Sequence, residues 1–127
     1  MKKSPALATP TVYGIANCDS VKKARAWMDD HGIDYVFHDF KKQGVTEQAL
    51  DFWLSQQGWE TLLNRKGTTW RKLSPETQQN VTDAATAREV MLLHTSVIKR
   101  PVVVVGAEVV VGVNPEVWRG VMSGIKR

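Results

Sequence analysis

The stretch PVVVVGAEVVVGV, residues 101–113, constrains the fold more than any other part of the sequence. Two runs of valine flank the pair Gly106-Ala107, and β-branched residues favour extended strands over helices. Glycine readily adopts the positive φ angle that a tight turn between antiparallel strands requires. The stretch therefore predicts a β-hairpin that opens at Pro101.

A strand, a helix and a second strand are predicted nearer the start of the chain. Residues 11–15 (TVYGI) are rich in β-branched and aromatic side chains, and residues 33–37 (IDYVF) place their larger apolar side chains on one side. Between them, Val21, Ala24 and Met28 recur at helical spacing, and a glycine follows as a stop signal. A crossover of this length is typical of two parallel strands in a β–α–β unit.

The middle of the chain predicts further helices. Thr46 and Ser74 are cap residues, and proline and glutamate follow Ser74 in the order that a helix start prefers. Gly58 is the predicted end of the helix that begins at Thr46, and residues 64–72 (NRKGTTWRK) are predicted as a basic loop. Another helix is predicted from Asp83, and a last one follows the hairpin after an asparagine cap.

The resulting order is β–α–β, a helical block and β–β–α. This is the arrangement of a thioredoxin-like α/β fold with a mixed four-stranded sheet. We predict a flexible tail over residues 1–10 and a single domain over residues 11–127, with a helical insertion at about residues 44–95. A chain of 127 residues is long enough to bury a core without disulfides or metal.

Composition and charge favour a cytoplasmic chain. One cysteine cannot form an internal disulfide, the first ten residues lack an apolar core of signal-peptide length, and the longest apolar run is too short to span a bilayer. The net charge of +4 comes without a Lys/Arg tract longer than a pair, so neither a membrane nor a nucleic-acid partner is predicted. The histidines His31, His38 and His94 are scattered, so no metal site is expected. We expect a monomer.

The single cysteine, Cys18, stands between the first predicted strand and the first predicted helix. Unpaired backbone N–H groups and the positive end of the helix dipole favour a thiolate at such a place. Lys22 and Lys23 add positive charge, whereas Asp19 acts against the thiolate. Free cysteine is also among the most buried residue types. Position alone therefore leaves both a reactive nucleophile and a buried structural thiol open.

Four segments in a fixed order resemble a known family. They are VYGIANCDSVKKARAWM, LLNRKGTTWRKL, IKRPVVVVG and VGVNPEVW, and the resemblance that they carry covers about residues 11 to 123. The chain resembles the glutaredoxin-coupled arsenate reductase (ArsC) family, with its YffB and Spx branches. The resemblance implies that Cys18 is the nucleophile, that Arg65 and Arg100 bind an anion, and that a cis peptide bond precedes Pro101 beside the sulfur. A planar guanidinium suits an oxyanion or carboxylate because it donates two parallel hydrogen bonds.

Two departures from the family pattern bear on function. Arsenate reductases place a third arginine after the last hairpin, where this chain reads VVVGVNPEVW, and Arg119 lies well past that segment. This difference favours the YffB branch over arsenate reduction. Spx-type regulators often carry Cys-x-x-Cys. In this chain, the position of the second cysteine, three residues after Cys18, is occupied by Val21. An oxidised Cys18 therefore needs an outside thiol, for which the resemblance implies glutathione.

The sequence thus leads to the hypothesis of a glutathione-dependent thiol reductase with no bound cofactor. Glutathione is the expected co-substrate and a glutaredoxin a further candidate partner. Asn17 and Ser20 would donate hydrogen bonds to the thiolate, and Arg65, Arg100 and Pro101 would contribute to binding glutathione or the substrate. One alternative is an arsenate reductase proper. Another is an Spx-like redox-responsive regulator that binds RNA polymerase.

Overall fold

The computed structural model describes residues 9–123, which fall into two compact units. The first unit contains residues 9–43 and 100–123 of the described range, and the second contains residues 44–99. The predicted tail lies mainly outside the described residues. At its boundary, Pro10 is buried and its carbonyl oxygen accepts a hydrogen bond from the amide of Val36 at 2.9 Å. Regular structure therefore begins directly after Pro10.

The first unit is built on a four-stranded sheet. Its strands are β1 (Thr11–Gly14), β2 (Val36–Asp39), β3 (Val102–Val105) and β4 (Glu108–Val111). They lie in the order β2-β1-β3-β4, with β1 and β2 parallel and the other two pairs antiparallel. The predicted mixed sheet of a thioredoxin-like fold is confirmed.

Helices make up most of the remaining described chain. The first unit contains α1 (Asp19–Asp30) and α2 (Phe40–Gln43), and the second contains α3 (Glu47–Gln56), α4 (Trp59–Leu62), α5 (Thr68–Lys72), α6 (Pro75–Asn80) and α7 (Ala84–Leu93). A 3-10 turn (Thr95–Val97) follows α7, and α8 (Pro115–Met122) belongs to the first unit. No described helix is long and apolar enough to cross a membrane.

Helices α1 and α8 supply the helical side of the core of the first unit. The face of α1 formed by Val21, Ala24 and Met28 is buried, as the helical spacing predicts. The core cluster joins residues of both helices to the sheet: Val12, Ala24, Met28, Ile33, Val103, Val105, Val110, Trp118 and Met122. Burial of these apolar side chains holds the start of α1 near the end of β1.

The second strand begins later than predicted. The parallel ladder pairs Thr11 with Val36 and runs on to Asp39, whereas the sequence pattern predicts a strand over residues 33–37. The amide of Ile33 is instead used to finish α1, where it donates to the carbonyl oxygen of Met28 at 2.9 Å. That amide is therefore unavailable to the ladder. The predicted apolar side nevertheless faces the core.

Side-chain caps begin the longer helices of the second unit. Oγ1 of Thr46 accepts a hydrogen bond from the amide of Ala49 at 3.0 Å, and Ser74 caps α6 in the same way. Asp83 and Thr86 form a reciprocal capping box at the start of α7. The helix starts predicted at these cap residues are confirmed.

Helix α3 ends at Gln56 with Gln57 as its C-cap, so it stops directly before Gly58 as predicted, and Gly58 also serves as the N-cap of α4. One prediction for the second unit is wrong. Residues 68–72, predicted as part of a basic loop, form α5. The amide of Arg71 donates to the carbonyl oxygen of Gly67 at 3.2 Å and so closes the first helical turn. Neither glycine nor proline lies inside the segment TTWRK to oppose this turn.

Candidate active site

Cys18 occupies the N-cap of α1. Strand β1 ends at Gly14, a turn over residues 15–17 follows, and Cys18 then has the extended backbone of a cap residue, with φ −121° and ψ 126°. Its carbonyl oxygen accepts the first helical hydrogen bond, from the amide of Lys22 at 2.9 Å. The side chain of an N-cap residue lies beside the unpaired amides of the first turn. The predicted position of Cys18 at a helix start is confirmed.

The surroundings of Cys18 favour its thiolate. Partial burial by itself raises the pKa of the thiol, because a buried charge loses hydration. The amide of Val21, the hydrogen bond and positive charge of Arg100, and the amide of Ser20 outweigh this effect and hold the pKa below its ordinary value. Such a cysteine has the character of a nucleophile.

The register of the sheet brings Arg100 to Cys18. Tyr13 lies opposite Val102 in the antiparallel ladder of β1 and β3, so the start of β3 adjoins the end of β1. Arg100 and Pro101 directly precede β3 and are joined by a cis peptide bond, as the family resemblance implies. The half-buried side chain of Arg100 hydrogen-bonds the Cys18 sulfur. Strand pairing thus unites two residues that are distant in sequence.

The other predicted residues of the first unit contribute unequally. Ser20 acts on the sulfur through its backbone amide. Asn17 is exposed in the turn before Cys18, and a hydrogen bond from its side chain to the sulfur stays a prediction. Pro101 is buried, and its carbonyl oxygen accepts a hydrogen bond from the amide of Gly112 at 2.8 Å.

Arg65 lies in the second unit. Its guanidinium carbon is 5.1 Å from the centre of the Trp59 ring, and Nη2 is 3.5 Å from a carboxylate oxygen of Glu60. Arg65 lines a depression of about 330 Å³ whose walls are Glu60, Leu63, Asn64, Arg65, Lys66 and Lys99. Three cationic side chains and one carboxylate give this depression an excess of positive charge, which suits an anion.

Val21 contributes to the site although it is not among the residues predicted for it. Its apolar side chain places it on the buried face of α1, and this interpretation is correct for the side chain. As the third helical residue, however, it also directs its backbone amide toward the N-cap. The sequence does carry a signal for this role, because Val21 lies three residues after the predicted cap residue Cys18, where a backbone amide commonly donates to the side chain of the cap.

The chemistry open to this site is that of an activated thiolate. Amides and a guanidinium stabilise the anion, and a thiolate attacks sulfur in disulfides or an electrophilic oxyanion centre. Among residues 9–123, no group of three or more His, Cys, Asp or Glu residues could hold a metal ion.

The fold and the thiol at the start of α1 define a thioredoxin-like protein. Residues 13–121 match the model of the ArsC family, so the chain belongs to this family. The family and fold predicted from the four sequence segments are therefore confirmed.

Three relatives illustrate the range of the family. An arsenate reductase (ArsC) related protein from Brucella melitensis is 50% identical, with a TM-score of 0.71 over 89% of this chain and 93% of its own. A solved structure named YFFB protein is 43% identical, with a TM-score of 0.84 over 89% of this chain and 98% of its own. The global transcriptional regulator Spx 1 from Lactococcus lactis is 26% identical over 83% of this chain and 82% of the regulator.

Proposed function

We propose that this protein is a thiol-dependent reductase that uses Cys18 as its nucleophile and glutathione as its co-substrate. The observation that carries the proposal is the position of the half-buried Cys18 at the N-cap of α1, where first-turn amides and Arg100 act on its sulfur and lower the pKa of the thiol. Attack by a thiolate is fastest when its pKa lies near the ambient pH, so a thiol pKa below the ordinary value favours reaction. We further propose that the enzyme is a monomer.

The reaction is a pair of thiol–disulfide exchanges. The Cys18 thiolate attacks the glutathionyl sulfur of a mixed disulfide between glutathione and a substrate thiol. The old S–S bond breaks, the substrate thiolate leaves and takes a proton from solvent, and glutathione remains bonded to Cys18. A second glutathione thiolate attacks the glutathionyl sulfur of this intermediate and leaves as oxidised glutathione, which restores the Cys18 thiolate. One mixed disulfide and one glutathione thus give one free thiol and one oxidised glutathione.

A carboxylate of glutathione or an anionic group of the substrate needs a cationic partner. Arg100 is already beside the sulfur and can hold a carboxylate of the peptide, with the side chains of Asn17 and Ser20 and the backbone of Pro101 as neighbouring contacts. Arg65 of the second unit is proposed, on its own, as a residue that binds an anionic group of glutathione or the substrate, supported by the excess of positive charge around it. An incoming carboxylate would compete with Glu60 for the Arg65 guanidinium. This ion pair is exposed and therefore weak.

Arsenate reduction, the alternative activity, has less support from the residues of this chain. The family's third arginine falls where this chain has residues such as Gly112 and Val113, neither of which can bind an oxyanion through its side chain. Arg119 lies on α8 and is exposed. Arsenate therefore serves as a comparison substrate.

The proposal is tested by turnover of a glutathione mixed disulfide, followed through formation of oxidised glutathione. We expect Cys18→Ser, and wild-type protein alkylated at Cys18, to lose turnover to the uncatalysed background because neither has a thiolate. Thermal unfolding of the variant checks that the fold is kept. Turnover that survives in both proteins would disprove the scheme.

The Spx relative supports one competing function, a regulator that binds RNA polymerase. Capture of the C-terminal domain of the polymerase α subunit at one-to-one stoichiometry, without any turnover, would favour this function.

Addition of glutaredoxin to the turnover assay tests whether glutaredoxin is a partner besides glutathione. A rate increase that depends on Cys18 would identify glutaredoxin as a second acceptor of the bound glutathione. The enzyme requires a reducing compartment that contains glutathione, such as the cytoplasm.

A further inference from the structure

Gly14, the last residue of β1, lies in close contact with the first turn of α1. A Cβ atom at this position would overlap Cγ2 of Val21 and lie 3.3 Å from its Cγ1. The φ angle of Gly14 is outside the left-handed region, so its backbone conformation is open to other residues. Space, and not backbone geometry, therefore requires glycine here.

Val21 cannot easily move out of the way. Its side chain has 0% exposure, and a β-branched side chain in a helix has one strongly preferred rotamer. Protein interiors are closely packed, so an added methyl group is accommodated by a shift of the side chain together with its backbone. A residue larger than glycine at position 14 would thus push the first turn of α1 away from the end of β1.

This movement bears on the sulfur because Val21 also supplies a backbone amide to Cys18. The carbonyl oxygen of Cys18 is held by the amide of Lys22 at 2.9 Å, so cap and first turn form one hydrogen-bonded unit. Within that unit, the amide of Val21 is directed at the sulfur only if the turn keeps its present orientation.

We propose that Gly14 is a positioning residue for the nucleophile: its missing side chain lets the first turn of α1 approach β1 and sets the amide of Val21 against the sulfur of Cys18. This inference rests on the proposed function, in which that sulfur is the nucleophile. Gly14 itself touches no reacting atom.

The test measures the alkylation rate of Cys18 against pH in wild-type protein and in Gly14→Ala. We expect the apparent pKa of Cys18 to rise in the variant, with alkylation at neutral pH about threefold slower, which corresponds to half a pKa unit. Arg100, the charged side chain that hydrogen-bonds the sulfur, is unchanged, and Asp19, Lys22 and Lys23 remain exposed on α1. In the double variant Gly14→Ala/Val21→Ala the overlap is removed, and the wild-type pKa should return.

A matched control uses the same substitution elsewhere in the first unit. A Cβ atom added at Gly120 in α8 meets nothing within 4 Å, so Gly120→Ala should leave the pKa of Cys18 unchanged. Should Gly14→Ala fail to fold, Val21→Ile carries the test, because isoleucine bears its extra methyl group on the branch that Cγ2 occupies in valine, the atom that a Cβ at position 14 would overlap. An unaltered pKa of Cys18 in a folded Gly14→Ala or Val21→Ile variant would overturn the inference.

Alkylation does not require turnover, so the two proposals can fail separately. A raised pKa in the Gly14 variant, with no glutathione-dependent turnover in wild type, would refute the enzyme and keep the positioning role. Turnover that depends on Cys18, with an unaltered pKa in the Gly14 variant, would keep the enzyme and refute the positioning role.

Discussion

The first unit packs a four-stranded sheet against α1 and α8, whereas the second consists of five short helices joined by tight connections. In the first unit, the contacts at Cys18 come from the start of α1 and from Arg100, two residues before β3, and these are distant in sequence. In the second unit, the longer helices begin at local cap residues such as Thr46 and Ser74. The thiol chemistry therefore depends on strand register, whereas the helical unit depends largely on signals within a few residues.

Ion pairs show the same difference. In the second unit, the guanidinium of Arg88 on α7 contacts Asp51 at 2.6 Å and Glu47 at 2.9 Å, and both carboxylates belong to the exposed side of α3. In the first unit, the guanidinium of Arg100 is half-buried and faces a thiol. The exposed network ties two helices together, whereas the half-buried arginine changes the chemistry of its neighbour.

The largest expected effect concerns the buried tryptophans of the two units, Trp118 and Trp53, which are 0% and 1% exposed. We expect alanine at either position to reduce the free energy of unfolding by about 3–5 kcal/mol, because each substitution leaves a large cavity. Chemical denaturation followed by far-UV circular dichroism measures this loss. If the loss of unfolding free energy were small at only one of the two tryptophans, the unit that contains it would not pack tightly around that side chain.

Trp118→Phe is the matched conservative variant. Nε1 of Trp118 is buried and finds no acceptor among the described residues, so phenylalanine removes an unsatisfied donor while it keeps an aromatic ring. Its loss of stability should therefore be well below that of Trp118→Ala. Equal losses for the two variants would contradict this interpretation of the indole nitrogen.

The next effect separates the two arginines predicted to bind anions. Arg100 stabilises the thiolate, so Arg100→Ala should raise the pKa of Cys18 and slow alkylation at neutral pH by about three- to tenfold. The difference should vanish at high pH, where the thiol is deprotonated in both proteins. Arg65→Ala should keep the alkylation profile and raise KM for glutathione, since the groups that lower this pKa lie in the first unit.

Arg71→Ala is the control for both variants, because it removes an exposed arginine of α5 that lines neither the thiol site nor the depression around Arg65. It should change neither the alkylation profile nor KM. A raised pKa in Arg65→Ala would show that the chemistry of Cys18 is not confined to contacts within the first unit.

The smallest effect concerns the cap of α7. Hydrogen bonds from the amide and hydroxyl of Thr86 lower the pKa of the Asp83 carboxyl. Asp83 therefore stabilises the folded state above its unfolded pKa, near 3.9, and this contribution is lost as the pH falls through the lower folded pKa. Asp83→Ala should lower Tm by roughly a few degrees at neutral pH, and the gap to wild type should close in acid. A gap of the same size in acid would exclude the charged cap as its cause.

Local signals predicted much of this structure correctly. The buried face of α1, the caps at Thr46, Ser74 and Asp83, and the positive φ at Gly106 all follow from interactions within a few residues. The late start of β2 was not predicted. The amide of Ile33 donates to the end of α1 and not to the sheet, and the periodicity of apolar residues does not show which of these two partners an amide takes. The helix at residues 68–72 was missed because its composition is also typical of a basic loop.

By itself, the sequence determined the element order, the helix caps and the position of Cys18 at the start of α1, because each depends on neighbouring residues. Only the tertiary structure decided that Arg100 reaches the sulfur and that Gly14 must leave room for Val21. Both contacts depend on the way strands and helices pack. A pattern of residue types shows which groups are available, and packing in three dimensions determines which of them meet.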